Sequence, residues 1–347
     1  MKENAVYYND YLQLQQLLNS QHPESFKEGN TPAHDEMLFI IIHQSYELWF
    51  KQILFEVNAA IDVLNQPSIN DNTPALQTVV HRLNRVITIL KVLVHQIDIM
   101  ETMTPMDFLD FRDLLRPASG FQSWQFKTLE AKLGLPYNER YGKEYYTSQL
   151  KQPEIDIIKQ AEEEKSLLYV VNKWLERMPY FENTAHWEEF VHQGESTPDL
   201  HPYWSTYRHC YSHSLAEAER NNLQAFNNIF IQGQTTGQLS AKASRAALFI
   251  MLYRGYPLLH LPFELINNLL EIDEQMSTWR YRHMNMVHRM IGTRIGTGGS
   301  SGKDYLRAAL DKHYIFKEFA ALTSFLIERS KLPALPNALI NNLGFNI

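Results

Sequence analysis

The stretch PALQTVVHRLNRVITILKVLVHQIDIM (residues 74–100) decides the fold class of this 347-residue chain. Its large apolar residues recur at alternating spacings of four and three, the pattern of one buried face of an α-helix. Thr73 suits the N-cap, and Pro74 suits the first helical position. Because the pattern persists over three heptads, we expect a long helix that packs nearly antiparallel to its neighbour. Its buried face comprises Leu76, Val80, Leu83, Ile87, Leu90, Val94 and Ile97.

Helical periodicity also dominates the sequence on both sides of this stretch. A helix is predicted over residues 34–65, and it should be buried because it is apolar around most of its circumference. One of its faces carries Leu38, Ile41, Ile42, Leu48 and Trp49, and another carries Phe39, His43, Tyr46 and Phe50. Thr104-Pro105 should begin a further helix, which places Phe108 and Arg112 on one face.

The remaining segments also have helical patterns. Residues 119–133 should be helical up to a C-cap at Gly134. Further helices are predicted at about 153–178, 213–231, 240–292, 303–311 and 315–329, and the block 240–292 should be broken near 255–257 and at Pro262. We therefore expect an all-α fold, a bundle of long helices in a single domain over residues 1–347. Residues 135–239, which are less regular, should form a peripheral helical elaboration.

Composition excludes several classes of protein. The apolar fraction is 44% and the charged fraction 20%, which is typical of a globular protein. The net charge is −7 and the basic residues are scattered, so no nucleic-acid surface is expected. No apolar run approaches the ~20 residues of a membrane span, and the N-terminal residues do not resemble a signal peptide. Since Cys210 is the only cysteine, a cytoplasmic location is expected.

Two short motifs invite a ligand but fit poorly. GTGGSSG (residues 296–302) is glycine-rich, yet Thr297 stands where a P-loop needs glycine, and Lys303 is followed by Asp304. This loop can either close over a small carboxylate or serve as a plain connector. His209 and His213 have the spacing of helical zinc ligands, but no HExxH glutamate or CxxC pair accompanies them. Polar packing is the favoured interpretation of these two histidines.

His43 and His283 are the more informative histidines. His43 lies among aromatic residues on the helix predicted to be buried. His283 follows Arg280 and Arg282 and precedes a methionine-rich stretch, RHMNMVHRM (residues 282–290). An imidazole in apolar, polarisable surroundings with arginines nearby suits iron ligation in a haem site, where the arginines meet propionates. A histidine satisfied within the core explains the same local pattern, so residue patterns alone leave both interpretations open.

Four long blocks of sequence then narrow the choice, because they resemble the tryptophan 2,3-dioxygenase family. The blocks are YNDYLQLQQLL (8–18), HDEMLFIIIHQSYELWFKQILFE (34–56), ETMTPMDFLDFRDLLRPASGFQSWQFKTLEAKLG (101–134) and WRYRHMNMVHRMIGTRIGTGGSSGKDYLR (279–307). They occur in the order of the family and at plausible separations.

The resemblance implies a role for each of several residues. His283 corresponds to the proximal ligand of the haem iron, and His43 to the distal histidine that hydrogen-bonds the indole N–H. Arg112 corresponds to the residue that binds the substrate carboxylate, and Thr297 to one that meets the amino acid end of the substrate. The remaining substrate-binding residues are Phe39 and Phe108, which wall the indole pocket, Ser119, which lies near O2, and Tyr8, Tyr11 and Leu12, which a neighbouring subunit supplies.

The resemblance also implies an activity and an assembly. The expected cofactor is haem b, ferrous in the active form, and the expected substrates are L-tryptophan and O2. Cleavage of the indole C2–C3 bond yields N-formyl-L-kynurenine, the first step of tryptophan catabolism through kynurenine. The expected assembly is a homotetramer, a dimer of dimers, with residues 1–20 packed on a neighbouring subunit. Two alternatives are a haem oxygenase that adds one oxygen atom to a related aromatic compound and a non-catalytic haem sensor or carrier.

Overall fold

The computed structural model describes residues 5–67, 73–140, 145–194, 200–294 and 313–344. Over these ranges the chain folds into helices and turns, without a β-strand. In chain order the α-helices are α1 (Tyr8–Tyr11), α2 (Leu14–Leu18), α3 (Glu36–Leu64), α4 (Pro74–Met100), α5 (Pro105–Arg112), α6 (Trp124–Leu133), α7 (Tyr145–Ser148), α8 (Gln152–Glu163), α9 (Leu167–Glu176), α10 (Pro202–Ser214), α11 (Asn222–Phe226), α12 (Ala241–Leu252), α13 (Pro257–Ile291), α14 (Lys317–Leu322) and α15 (Asn337–Leu343). The predicted all-α class is confirmed.

Helix α4 is the centre of the bundle. It packs along α13 on one side and along α3 on the other. All seven residues of the face predicted from its 4-3 spacing are buried, and Leu76 and Leu83 are fully so. Burial of these side chains removes apolar surface from water, which stabilises the folded state by roughly 25 cal/mol per Å². This hydrophobic contribution is the main one that favours the packing of α4. The predicted face of this helix is therefore confirmed.

The helices between residues 135 and 239 share the core of the bundle. Helix α9 packs against α3 and α12, and α8 packs against α6. The buried apolar residues of α9 belong to the same cluster as most of those of α4 and α13. Gly134 lets α9 approach the end of α6, because it has φ +124° and a Cβ there would lie 2.7 Å from the Cβ of Leu168. The predicted C-cap at Gly134 is confirmed.

Several predicted helix boundaries were wrong. The helix predicted at 153–178 is interrupted, because the Ser166 side chain accepts a hydrogen bond from the Tyr169 N–H and starts a new helix, α9. The helix predicted at 213–231 is instead α10, which ends at Ser214, and α11, which continues into a π-helical turn. Near the C-terminus, 315–329 contains only the short α14 and a 3₁₀ turn, and the helix predicted at 303–311 lies outside the described residues.

Two further expectations about packing were also wrong. Pro262 does not break α13, which runs on through it to Ile291. Pro262 lies in the second turn of that helix, so only one backbone hydrogen bond near the helix start is lost. Helix α3 is not buried on all sides, since Ile41 is 48% exposed and Leu48 52% exposed. Among the described residues, no helix has both the length and the apolar character needed to cross a membrane.

Candidate functional site

A cavity of about 280 Å³ lies between α3, α5, α6 and α13. Most of its wall is apolar, formed by aromatic rings and by Met100, Met103, Met286 and Met290. His43 and His283, which are 240 positions apart in sequence, meet here because α4 holds α3 and α13 together. Six of the residues singled out in the sequence line this one cavity, namely Phe39, His43, Phe108, Arg112, Ser119 and His283.

The ring of His43 is oriented by its own helix. Its Nδ1 lies 2.7 Å from the carbonyl oxygen of Phe39, one turn earlier in α3. Because a carbonyl oxygen only accepts hydrogen bonds, Nδ1 carries the proton, and Nε2 of the neutral ring is left as an acceptor. Desolvation lowers the pKa of His43 below its ordinary value, although the bond to Phe39 and the charge of Glu47 oppose this shift. The neutral acceptor form is therefore favoured at neutral pH.

Aromatic rings form the wall next to His43. The Phe39 ring stacks on that of Phe108 with centroids 5.6 Å apart, and it lies 4.1 Å from the His43 ring. Phe111 meets both phenylalanines edge to face, at 5.6 and 5.4 Å. Offset and edge-to-face contacts of this kind favour one arrangement of the rings beyond the gain from burial alone. The wall is thus a fixed, flat, apolar surface suited to a planar ligand.

A capped short helix places a cation in this apolar wall. Helix α5 starts at a capping box, in which the Thr104 N–H donates to Asp107 Oδ2 at 2.8 Å and the Asp107 N–H donates to Thr104 Oγ1 at 3.3 Å. This box fixes the direction of the helix, whose Phe108 and Arg112 face the cavity four residues apart. Arg112 is only 5% exposed. A buried guanidinium at the edge of an apolar cavity suits a ligand with a carboxylate.

Ser119 lies where the chain turns from α5 to α6. Its hydroxyl oxygen accepts a hydrogen bond from the Phe121 N–H at 3.3 Å and begins a 3₁₀ turn, Gly120–Gln122. The helix predicted over 119–133 therefore consists of this turn followed by α6. Ser119, Gly120 and Phe121 all line the cavity.

His283 faces the cavity from α13. Its ring lies parallel to that of Trp279, one turn earlier, with centroids 5.1 Å apart and an interplanar angle of 3°. Desolvation, and secondarily the proximity of His43, lowers the pKa of His283 to about 4. The ring is therefore neutral at physiological pH, which is the form that coordinates metals. Its Nδ1 is buried and has no hydrogen-bond partner among the described residues.

One end of the cavity is charged, and of its four charged or titratable residues sequence reasoning singled out only Arg280. Lys127, Glu130, Arg280 and His313 line this end and are all less than 10% exposed. A pattern of helical periodicity cannot reveal them, because charged residues on an amphipathic helix normally face solvent. Trp279 was also missed, although its position four residues before His283 places both on one face of α13.

The arginines that flank His283 in sequence have partners. Arg280 Nη2 donates to Glu130 Oε1 at 2.7 Å. Arg282 Nη2 donates to Asp98 Oδ1 at 2.7 Å and lies 3.2 Å from Glu101 Oε2. We expected these arginines to meet haem propionates. In this structure, both are paired with carboxylates of the protein.

Among the described residues, five others that the sequence singled out do not line the cavity of this chain. Tyr8, Tyr11 and Leu12 are 72%, 75% and 40% exposed. Thr297 and the GTGGSSG loop lie outside the described residues. His209 and His213 stack on successive turns of α10, with centroids 4.3 Å apart, and do not line the cavity.

Comparison with known proteins gives a consistent result. A family model described as tryptophan 2,3-dioxygenase matches residues 1–326. The chain is 43% identical to the tryptophan 2,3-dioxygenase of Bdellovibrio bacteriovorus, with both chains covered over 100% of their length. It is 44% identical to that of Alteromonas mediterranea, with 99% of each chain covered. It is 40% identical to that of Dictyostelium discoideum, covering 99% of this chain and 89% of the relative.

The low pKa of His283 predicts a pH-dependent stability in the ligand-free protein. Above about pH 6.5 the ring is neutral in both the folded and the unfolded state. Between pH 6.5 and about 4 the unfolded state binds a proton that the folded state does not, so the free energy of unfolding falls as the pH falls. Since one pKa unit corresponds to ~1.4 kcal/mol, the loss is about 3 kcal/mol once the pH is below 4.

Denaturant unfolding of the ligand-free protein across this range measures the effect. His283→Leu removes the titrating ring, so this variant should lose about 3 kcal/mol less than the unaltered protein between pH 7 and 4. An identical pH dependence in the two proteins would show that His283 is not held in a desolvated, neutral form.

Proposed function

The chain belongs to the tryptophan 2,3-dioxygenase family, and we propose that the cavity between α3, α5, α6 and α13 is its active site. The chain is an oxidoreductase that opens the indole ring of L-tryptophan to give N-formyl-L-kynurenine, the first step of tryptophan catabolism through kynurenine. The observation that carries the assignment of the site is that six residues from four separate segments line this one cavity. We further propose that the whole chain acts as one domain, in the cytoplasm.

The chemistry of the cavity lining suits the haem on which this family depends. A planar, apolar macrocycle needs flat apolar walls, and aromatic rings and methionines supply them here. Haem iron needs a ligand from the protein, and the neutral ring of His283 could supply one. We propose that His283 holds the iron of haem b and that Trp279, stacked on it, fixes the plane of the ligand ring. When bound, ferrous haem supplies the chemistry that activates O2.

His43 is proposed to hold the indole ring rather than the iron. Its Nδ1 proton is engaged by the Phe39 carbonyl, so Nε2 offers a lone pair to the indole N–H. Removing the indole proton altogether is not assigned to His43, because an imidazole is far too weak a base for that step. The catalytic contribution of His43 is therefore to orient the indole ring so that its C2–C3 bond meets O2.

The remaining residues position the substrate and exclude water. Arg112 is proposed to bind the carboxylate of L-tryptophan, because it is a buried cation on the same helix face as Phe108, which belongs to the aromatic wall. Phe39 and Phe108, stacked on each other, form one wall of the proposed indole pocket, and Ser119 lines the same cavity, with its place near O2 implied by the resemblance. Thr297 keeps its proposed role at the amino acid end, as the sequence resemblance implies. Holding both reactants in one orientation in a dry site lowers the barrier without further chemistry by the protein.

The N-terminal segment is proposed to complete the site of a neighbouring subunit. Tyr8, Tyr11 and Leu12 are strongly exposed in the isolated chain, which is unfavourable for such apolar side chains. A second exposed stripe lies on α3, where Ile41, Leu48 and Phe55 recur at heptad spacing with exposures of 48%, 52% and 69%. Both surfaces support the homotetramer expected from the resemblance, because association would bury them.

Replacing His283 tests the haem assignment. His283→Ala removes the proposed protein bond to iron, so we expect the variant to purify with little or no haem. It should also fail to form N-formyl-L-kynurenine, measured by absorbance after reduced protein is mixed with air and L-tryptophan. His288→Ala is the matched control, because His288 is an exposed histidine on the same helix. Normal haem content and turnover in the His283 variant would contradict the assignment.

Replacing Arg112 tests the substrate assignment. Removing one partner of a buried charge pair costs on the order of 2–5 kcal/mol, so Arg112→Leu should lower kcat/KM for L-tryptophan by a factor of about 30 or more. Tryptamine lacks the carboxylate, so its slow turnover should change little in the same variant. Arg116→Leu, which removes a half-exposed arginine paired with Asp113, should leave both values unchanged. An equal loss for both substrates in the Arg112 variant would refute the carboxylate contact.

Mixing inactive variants tests the shared site. One variant carries Arg112→Leu and the other carries Tyr8→Ala and Tyr11→Ala. After subunits exchange, some sites combine an intact cavity with an intact N-terminal segment from another chain, so part of the activity should return. Tyr137→Ala, at an exposed tyrosine outside the N-terminal segment, should remain active by itself. Absence of recovery despite demonstrated exchange would mean that each chain completes its own site.

A further inference from the structure

A buried carboxylate joins α6 to the helix that carries His283. Glu130 Oε1 accepts hydrogen bonds from Arg280 Nη2 at 2.7 Å and from His313 Nδ1 at 3.1 Å. Its other oxygen, Oε2, accepts from Arg140 Nη1 at 2.8 Å. Glu130, Arg140, Arg280 and His313 are each 5% exposed or less. Both carboxylate oxygens are thus used, in surroundings that exclude water.

The charge of Glu130 is stabilised by these neighbours. Burial alone would raise the pKa of the carboxyl group, but the hydrogen bond from His313 and the charges of Arg280 and Arg140 outweigh it and hold the pKa well below its ordinary value. Buried charge-assisted hydrogen bonds are strong and directional, and loss of one partner leaves the others uncompensated. A shift of Arg280 away from Glu130 would leave buried charges uncompensated, so the network opposes such a shift.

Arg280 is the member that connects the network to the active site. It lies three residues before His283 in α13, within one turn. Its Nη1 donates to the His313 carbonyl at 3.2 Å, so the guanidinium is held at both ends. A rotation or shift of this turn of α13 would move the His283 ring and break these hydrogen bonds together.

His283 has few other restraints. A metal-binding histidine usually donates its second ring nitrogen to a partner that fixes the ring. The Nδ1 of His283 has no such partner among the described residues. Its orientation then depends on the stacked Trp279 and on the position of the helix backbone, and both belong to the turn that Arg280 anchors.

We propose that Glu130 is a positioning residue for His283: by anchoring Arg280 to α6, it sets the height and rotation of the turn of α13 that presents the ligand to haem iron. The inference rests on the proposed function, because it takes His283 as the iron ligand. Glu130 does not touch the iron or the substrate in this role, and it acts only through Arg280 and the helix.

The test compares ferrous holoenzymes of four proteins. Glu130→Gln keeps the shape of the side chain and removes its charge. Glu162→Gln is the matched control, because Glu162 lies 3.4 Å from Arg140 Nε and makes no ion pair with Arg280. Arg280→Lys keeps the positive charge, but the lysine side chain cannot reach both Glu130 and the His313 carbonyl. This variant is the alternative test of the network if Glu130→Gln does not fold. The measurements are the Fe–His stretching band in resonance Raman spectra and the rate of haem transfer to excess apomyoglobin.

We expect Glu130→Gln and Arg280→Lys to shift or broaden the Fe–His band and to release haem on the order of tenfold faster, as is usual when a supporting group behind a metal ligand is lost. Glu162→Gln should match the unaltered protein in both. A folded Glu130→Gln protein with an unchanged band and release rate would overturn the proposal, and so would an equal effect of Glu162→Gln. If Glu130→Gln does not fold, an unchanged band and release rate in Arg280→Lys would overturn it as well.

Failure of the underlying function has a different signature. If the unaltered ferrous protein shows no Fe–His band that disappears in His283→Ala, then His283 is not the ligand, and the inference falls with that assignment. An intact band in the unaltered protein with no response to Glu130→Gln rejects only the role of Glu130.

Discussion

The packing of α4 between α3 and α13 is the contact on which the rest of the structure depends. Because its apolar face is buried along its whole length, the two neighbouring helices are held at a fixed separation. His43 lies on α3 and His283 on α13, so the side chains of α4 between these helices set the width of the cavity between the two histidines. Helix α4 itself contributes to the cavity wall only at its C-terminal end. The geometry of the cavity therefore depends directly on the packing of the core.

The chemistry of the cavity arises from contacts that each helix makes locally. The His43 tautomer is set within α3 by the Phe39 carbonyl, and the direction of α5 is set by its own capping box. The orientation of the His283 ring follows from stacking within α13. Packing of the bundle brings these helices together, and the ion pair between Glu130 and Arg280 connects α6 to α13. Because contacts within each helix orient these side chains, a mostly apolar cavity can hold its few polar groups in defined positions.

The elements that could be predicted from sequence were those with strong periodicity. The 4-3 spacing of α4 gave its buried face correctly, and Gly134 gave a helix end. Local features that the apolar pattern does not reveal decided other boundaries: the Ser166 cap started a new helix inside a continuous pattern, and Pro262 was tolerated in the second turn of α13. The residues that line the cavity came from a resemblance, because the local surroundings of His43 and His283 fit an ordinary core histidine equally well. The ion pairs of Glu130 could not be foreseen, since its partners are 10, 150 and 183 residues away.

The exposed stripe of Ile41, Leu48 and Phe55 has a thermodynamic consequence. Apolar side chains left in water contribute nothing to the stability of the isolated chain, whereas covering them with a second copy stabilises the folded form by mass action. In the proposed tetramer, part of the folding free energy would reside in the contact between copies, and the midpoint of thermal unfolding would be a function of protein concentration. Dilution alone would then lower that midpoint, and a Tm would describe the assembly only when the concentration is given with it.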